Sequence, residues 1–328
     1  MIEILLGFLK WTCILVVSLI LIGVLFEQFS RWKLEKTVLA NHTFADVNSH
    51  AIHYVKKGKG ETTVVFLSGM GSSHAVWNDI QEQVSKSTVT LSYDRSGIMY
   101  SGKSKEPVTN KSVSQELETL LLSTDCPKSV ILVAHSMAAV YMRPFVEKHA
   151  QDIMGIILVE GAHPAQKKDA SLKLTKLLSP PPTWLIRTAV HTGLYRFLFS
   201  FNSISPEIPF GHPLHLQERN FFYRSFETVL EELQQDGTNF EDAQKYSDLG
   251  NIPLKVIMGS SGSRYGGIKD KQLAQEYKDW VTSHQYALLS LSTDSELIEA
   301  PHSGHLVQIG DPDLVSKCVL ELIKKGKS

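Results

Sequence analysis

Six apolar, β-rich runs recur along the chain with helical stretches between them, and they constrain the fold more than any other feature. They are TTVVFLSG (Thr62 to Gly69), TVTLSYD (Thr88 to Asp94), SVILVAHS (Ser129 to Ser136), MGIILVEG (Met154 to Gly161), PLKVIMGS (Pro253 to Ser260) and SELIEAPHSGH (Ser295 to His305). Most are near-continuous in apolar residues, not alternating, which suits strands covered on both faces. Strand and helix in alternation predict an α/β fold with a mostly parallel, doubly wound sheet. TFADV and HAIHYV, within residues 43–65, read as short strands ahead of it. With 328 residues and a 43% hydrophobic fraction, the chain can bury one large α/β domain with an insertion, or two small domains.

The rhythm breaks from Pro164 to about Leu249. That interval holds SPPPTW, an aromatic cluster (Tyr195, Phe197, Phe199, Phe201, Phe221, Phe222) and amphipathic stretches such as FETVLEELQQ, with no strong strand. It reads as a helical cap inserted after the ILVEG strand. The expected organisation is 1–40 anchor and juxtamembrane segment, 41–163 first part of the core, 164–249 cap, and 250–328 second part of the core. The basic end, Lys324 to Lys327, reads as a fraying terminus.

WTCILVVSLILIGVLF, Trp11 to Phe26, is uncharged over 16 residues. With LLGFL upstream it reaches about 22 residues interrupted only by Lys10, enough at about 1.5 Å per residue to cross a hydrocarbon core about 30 Å thick. Trp11 and Trp32 flank it as interfacial aromatics do. A cleaved signal would need small residues in an A-x-A pattern after the run, and EQFSRWKLEK offers none. An uncleaved single-pass anchor is therefore expected over a cleaved signal or a buried soluble helix. Arg31, Lys33 and Lys36 weakly place the α/β portion of the chain on the cytoplasmic side, whereas the sequons at Asn41 and Asn110 point the other way, so the side stays open.

Lys and Arg number 33 against 34 Asp and Glu, so no basic excess argues for a nucleic-acid partner. Cys13 lies in the apolar N-terminal run, and Cys126 and Cys318 form neither a disulfide framework nor a zinc pattern and are read as buried free thiols. No metal and no cofactor are expected.

In VAHSMAA, Ser136 stands between a strand and helix formers, with Ala134 and Ala138 two residues away on each side. A nucleophilic serine in such a sheet needs a sharp strand-to-helix turn that lifts Oγ above the strand end and aims the next backbone N–H at a developing oxyanion. The usual G-x-S-x-G has alanine at both glycines here, which nearly meets the same steric requirement. Pro144 is expected to kink the following helix in its second or third turn. FLSGMGSS ends the first long strand in a Gly-rich turn that can put the Met70 amide opposite that of Met137. A dinucleotide loop is the rival reading of Gly69-Met70-Gly71, with Asp94 as a ribose contact, but position 74 is histidine where a third glycine belongs. His305, in a loop directly after the last strand, is placed to act as general base, with His302 as the fallback.

FLSGMGSS, SYDRSG, VAHSMAA, ILVEGAHP and HSGHLVQIGDPDLV, in this order, resemble the α/β-hydrolase superfamily over residues 43 to 325. The resemblance implies Ser136 as nucleophile, His305 as base, and the Met70 and Met137 amides as oxyanion hole. Many members carry an aspartate after the next-to-last strand; here that turn is GSSGSRYGG, with no carboxylate. Others carry the acid one strand earlier, where Glu160 stands, and Ser136, Glu160, His305 keeps the family's chain order. Asp270 is the alternative acid. Asp94-Arg95 is read as a structural strand-end pair. Epoxide hydrolases and haloalkane dehalogenases of this fold attack with aspartate, so a serine implies a serine esterase or lipase-like hydrolase acting on an apolar or lipid acyl substrate. A C–C or amide hydrolase of the same fold and a catalytically silent binding relative are the alternatives.

Overall fold

The computed structural model describes residues 1–246 and 248–326. Its contacts divide into two compact units: Thr43–Ser179 with the chain from Arg224 onward, and Met1–His42 with Pro180–Tyr223.

The first unit carries the sheet. Eight strands, β1 (Phe44–Val47), β2 (His50–Lys57), β3 (Thr62–Leu67), β4 (Val89–Tyr93), β5 (Ser129–His135), β6 (Ile153–Val159), β7 (Leu254–Gly259) and β8 (Ser295–Ala300), lie in the order 1-2-4-3-5-6-7-8. The first three in space pair antiparallel and the rest parallel. All eight runs read as strands form strands. β3 and β4 are buried at every position, as continuous apolar runs demand, whereas the edge strand β8 is largely half-exposed. Val64, Val65, Ile131, Leu132, Val133, Ile156, Ile157 and Leu158 are fully buried in the central strands. Each such side chain contributes roughly 1.5–3 kcal/mol relative to exposure.

The helices are α1 (Ile2–Thr37), α2 (Asn78–Val84), α3 (Asn110–Ser123), α4 (Ala138–Tyr141), α5 (Arg143–Lys148), α6 (Leu172–Leu178), α7 (Thr183–His191), α8 (Leu194–Leu198), α9 (Pro213–Ala243), α10 (Lys271–Leu288), α11 (Val307–Gly310) and α12 (Pro312–Lys325). Their boundaries follow local chemistry. Thr109 and Ser112 form a capping box for α3, and Asp311 caps α12 with Pro312 in the first turn. α12 buries Val315, Cys318, Val319, Leu322 and Ile323, one stripe at helical spacing. It holds Lys324 and Lys325 in helical conformation, and Lys325 bonds Asp294, so the basic end is ordered where a frayed terminus was expected; Lys327 lies outside the described residues. Pro144 acts differently from the expected kink. The helix after Ser136 stops at Tyr141 after about one turn, and Pro144 sits in the first turn of a new helix, where its missing N–H costs nothing.

Between β6 and β7 the described residues contain helices and turns but no strand. The sequon asparagine Asn110 is fully buried, and its amide donates to Asn239 O and Asp242. It has no room for a glycan in the folded chain. In the second unit, α1 is one apolar helix long enough to cross a membrane, with its apolar window exposed along its whole length.

Candidate active site

β5 runs straight into Ser136, whose φ is 52°, a left-handed turn that a non-glycine residue adopts at a cost. The turn works because the residues around it are small: Ala134 and Ala138 are buried against the strand and helix they join. Gly69, at the end of β3, is small for a related reason. A Cβ there would lie 3.0 Å from His135 Nδ1 and 3.1 Å from Ser136 Cβ, so a larger residue would push the serine or its neighbour by a few tenths of an ångström and glycine lets the loop pass without displacing them. The next residue in that loop is Met70. Its backbone N–H and that of Met137 have no intramolecular acceptor among the described residues.

His305 follows β8 in a loop held close to β7. A Cβ on Gly259 would overlap the Gly304 carbonyl oxygen, so glycine at that strand end is what admits the loop. The imidazole Nε2 is 3.2 Å from Ser136 Oγ, and its Nδ1 is 3.3 Å from Glu160 Oε2. The structure thus brings Ser136, His305 and Glu160 together from three loops at the carboxyl ends of β5, β8 and β6. Asp270 is elsewhere: it caps α10, accepting from the N–H groups of Gln272 and Leu273. His302 is exposed in the turn before His305.

Glu160 also sits at positive φ, 48°, and its carboxylate is enclosed. Oε1 accepts from Gly259 N–H at 2.7 Å. Oε2 receives both the His305 imidazole and the guanidinium of Arg264, which in turn donates to Tyr277 OH and lies over that ring. Burial pushes this carboxyl up, but the hydrogen bond from His305 and the Arg264 charge outweigh it and hold it below the usual glutamate range. Arg264 belongs to GSSGSRYGG, the turn that lacks a carboxylate. Where many relatives carry the acid, this chain carries a cation that grips the acid from the neighbouring strand.

Two further groups position the site. His135, next to the serine, is buried, and burial followed by the nearby His305 ring holds its pKa well below the usual value, so it is neutral. Its Nε2 lies 3.0 Å from the His305 carbonyl oxygen, an acceptor, so the N–H is on Nε2 and ties the two loops together. Arg95 donates to the carbonyls of Ser68 and Gly69 and to Glu232 Oε1 at 2.6 Å, while Glu232 Oε2 accepts from Gly71 N–H at 2.8 Å. The loop that presents the Met70 amide is thereby fixed by a buried ion pair from α9. Glu232 lies in FETVLEELQQ, read only as an amphipathic stretch, and no local signal distinguishes it from a solvent-facing glutamate.

Asp94 and Arg95 do not serve each other. Asp94 is fully buried and accepts from the imidazoles of His53 and His74 and from the N–H of His74. Its carboxylate is committed to this network, leaving nothing for a ribose. Among the described residues, His53, His74 and Asp94 are the group whose ligand atoms, within 4.8 Å of one another, could hold a metal. The hydrogen bonds between them already satisfy the carboxylate, so the group is a buried polar clamp on the end of β4.

The fold and site together define a hydrolase of the open-sheet α/β class. The chain belongs to the alpha/beta hydrolase family, whose model matches residues 64–317. It is 27% identical over 293 residues to the uncharacterized protein YqjL of Bacillus subtilis (strain 168), spanning 89% of this chain and 93% of that one. Among solved structures it resembles the epoxide hydrolase VrEH1 from Vigna radiata, with a TM-score of 0.67 at 14% identity over 87% of this chain and 98% of that one. It also resembles a thermophilic esterase from Thermogutta terrifontis, with a TM-score of 0.59 at 13% identity over 87% and 98%. At such identities the two structures speak for the fold alone.

Proposed function

We propose that this protein is a membrane-anchored serine hydrolase that cleaves a carboxylic ester or related acyl bond through an acyl-enzyme. The observation that carries the reading is the His305 imidazole, with one nitrogen 3.2 Å from the Ser136 hydroxyl and the other 3.3 Å from Glu160. His305 Nε2 takes the hydroxyl proton as Oγ bonds to the acyl carbon. The carbonyl oxygen gains charge opposite the Met70 and Met137 amides. Collapse breaks the bond to the leaving alkoxide, which takes the proton from the imidazolium. Water then repeats the sequence, releasing the acid and restoring the serine. Glu160 stays ionised throughout, orienting the ring and balancing its transient charge.

A serine at this turn favours acyl transfer over the alkyl chemistry of carboxylate nucleophiles. The exposed apolar helix α1 together with the aromatic-rich helical insertion favours an apolar acyl group. The test is labelling of the detergent-solubilised protein with a fluorophosphonate, alongside turnover of acyl esters graded in chain length. Labelling and turnover should both vanish in Ser136→Ala. Labelling that persists in the variant defeats the assignment. Turnover absent from the folded wild type favours the silent binding relative.

A further inference from the structure

We propose that residues 183–201, comprising α7, α8 and their flanks, lie in the lipid surface beside α1, so that the protein grips the bilayer through two elements. The proposal rests on α1 being a membrane span, and every contact that carries it lies within the second unit. Gly23 and Gly193 mark the closest approach. A Cβ on Gly23 would sit 2.4 Å from the Thr192 carbonyl oxygen, and one on Gly193, at φ 75°, would sit 2.9 Å from the Gly23 carbonyl oxygen. One turn further along α1, Glu27 is only 2% exposed. Arg31 and Arg196 both bond its carboxylate, at 2.8 and 2.6 Å, and Arg31 also donates to the Val190 carbonyl at 2.8 Å. These contacts fix residues 190–196 against one short stretch of α1.

With α1 spanning a bilayer, the charge pattern sets the depth of that stretch. Gly23 is inside the uncharged run and Glu27 is the first charge beyond it. At a rise of about 1.5 Å per residue the two are roughly 6 Å apart along the helix. The docked segment therefore sits where the hydrocarbon of a spanned bilayer gives way to headgroups. Its outward side chains suit that level. Trp184, Phe197 and Phe201 are 65%, 61% and 70% exposed, and Leu185, Leu194 and Leu198 are exposed with them. The segment has no Asp or Glu; of its two arginines, Arg196 is paired with Glu27 and Arg187 is exposed, a cation suited to the headgroup level. Large exposed aromatic and aliphatic groups on a segment that carries no carboxylate of its own are what an interfacial segment presents to lipid. Continuity with the apolar surface of α1 selects the bilayer over a protein partner or a second copy.

The test uses the full chain with Cys13, Cys126 and Cys318 replaced by alanine. Single cysteines at Phe197→Cys, Phe201→Cys, Leu15→Cys and Leu122→Cys carry an environment-sensitive nitrobenzoxadiazole label, in vesicles of phosphatidylcholine with phosphatidylglycerol. Leu122, 72% exposed in the sheet-bearing unit, is the aqueous reference. The labels at 15, 197 and 201 should be blue-shifted and quenched by spin-labelled lipid, and the label at 122 should not. Quenching at 15 with water-like signals at 197 and 201 overturns the proposal and leaves the anchor standing. A water-like signal at 15 removes the anchor and the proposal together. In the Trp11→Phe, Trp32→Phe chain, which keeps Trp77, Trp184 and Trp280, the emission component lost on Trp184→Phe provides a label-free check: brominated lipid should quench it, and the absence of quenching counts against the proposal.

Discussion

Glu232→Gln isolates what the Arg95–Glu232 pair does for the loop that carries the Met70 amide. The glutamate is fully buried and Arg95 is 5% exposed, so neither regains water when its partner is neutralised. Glutamine keeps the volume and an acceptor for Gly71 N–H but leaves the guanidinium without its countercharge. Removing one member of a buried pair costs about 3–5 kcal/mol. The Tyr141 ring, 5.1 Å from the guanidinium carbon, already supplies part of the compensation, so the lower half of that range applies. At about 2 °C per kcal/mol for a domain this size, the thermal midpoint of the detergent-solubilised protein should fall by about 6–8 °C. Arg95 also bonds the carbonyls of Ser68 and Gly69, so the loop shifts when the guanidinium relaxes. For hydrolysis of a chromogenic acyl ester, kcat should drop toward the about 10²–10³-fold loss of a missing oxyanion donor, with KM little changed. The double variant Arg95→Met, Glu232→Leu should recover most of the midpoint but not kcat, because an apolar pair restores packing without holding the carbonyls. A midpoint shift under about 2 °C with unchanged kcat in Glu232→Gln would refute the reasoning.

The geometry dictates three further outcomes. Glu160→Gln should lower kcat by about 10³–10⁴-fold, because an amide no longer enforces the ring tautomer or balances imidazolium, while fluorophosphonate labelling slows without disappearing. Gly69→Ala should lower kcat at least about tenfold, since its Cβ would press on His135 and Ser136, whereas Gly237→Ala, with open space around it, should leave kcat alone. Burial, then His284 and Arg143, depress the His163 imidazole to about 4, so the unfolded chain takes up a proton near pH 6.5 that the native state refuses. That contribution to stability is complete above about pH 6.5 and is lost as pH falls toward about 4. In His163→Gln, chemical denaturation across this window should give a shallower pH slope. The change should be less than the about 1.4 kcal/mol per unit of a whole proton, because the ring is only half-buried.

The strands were legible because each is a self-contained apolar run that nothing but a buried sheet accommodates. The placement of Ser136 and His305 at strand ends was legible for a similar reason: each stands in or beside a small-residue turn, and those turns are written locally. Glu160 was reached only through the chain order of a family, since a lone glutamate after a strand has no signature of its own. What the sequence hid are partners far apart along the chain. Arg264 meets Glu160 across 104 residues and Glu232 meets Arg95 across 137. Both look like ordinary surface charges until the fold encloses them. Asp94 and Arg95 show the converse. Adjacent opposite charges suggest a pair, but successive residues at a strand end point apart, and each found its partners elsewhere.

The covalent intermediate tests the account most directly. Rapid-quench intact-mass spectrometry of the full-length protein, mixed with an activated acyl ester, should show a burst of one acyl group per chain. Fragmentation should locate the added mass on Ser136, and the burst should be absent from Ser136→Ala. Sustained turnover with no acylated chain at any time point, or acyl mass on another residue, would contradict it.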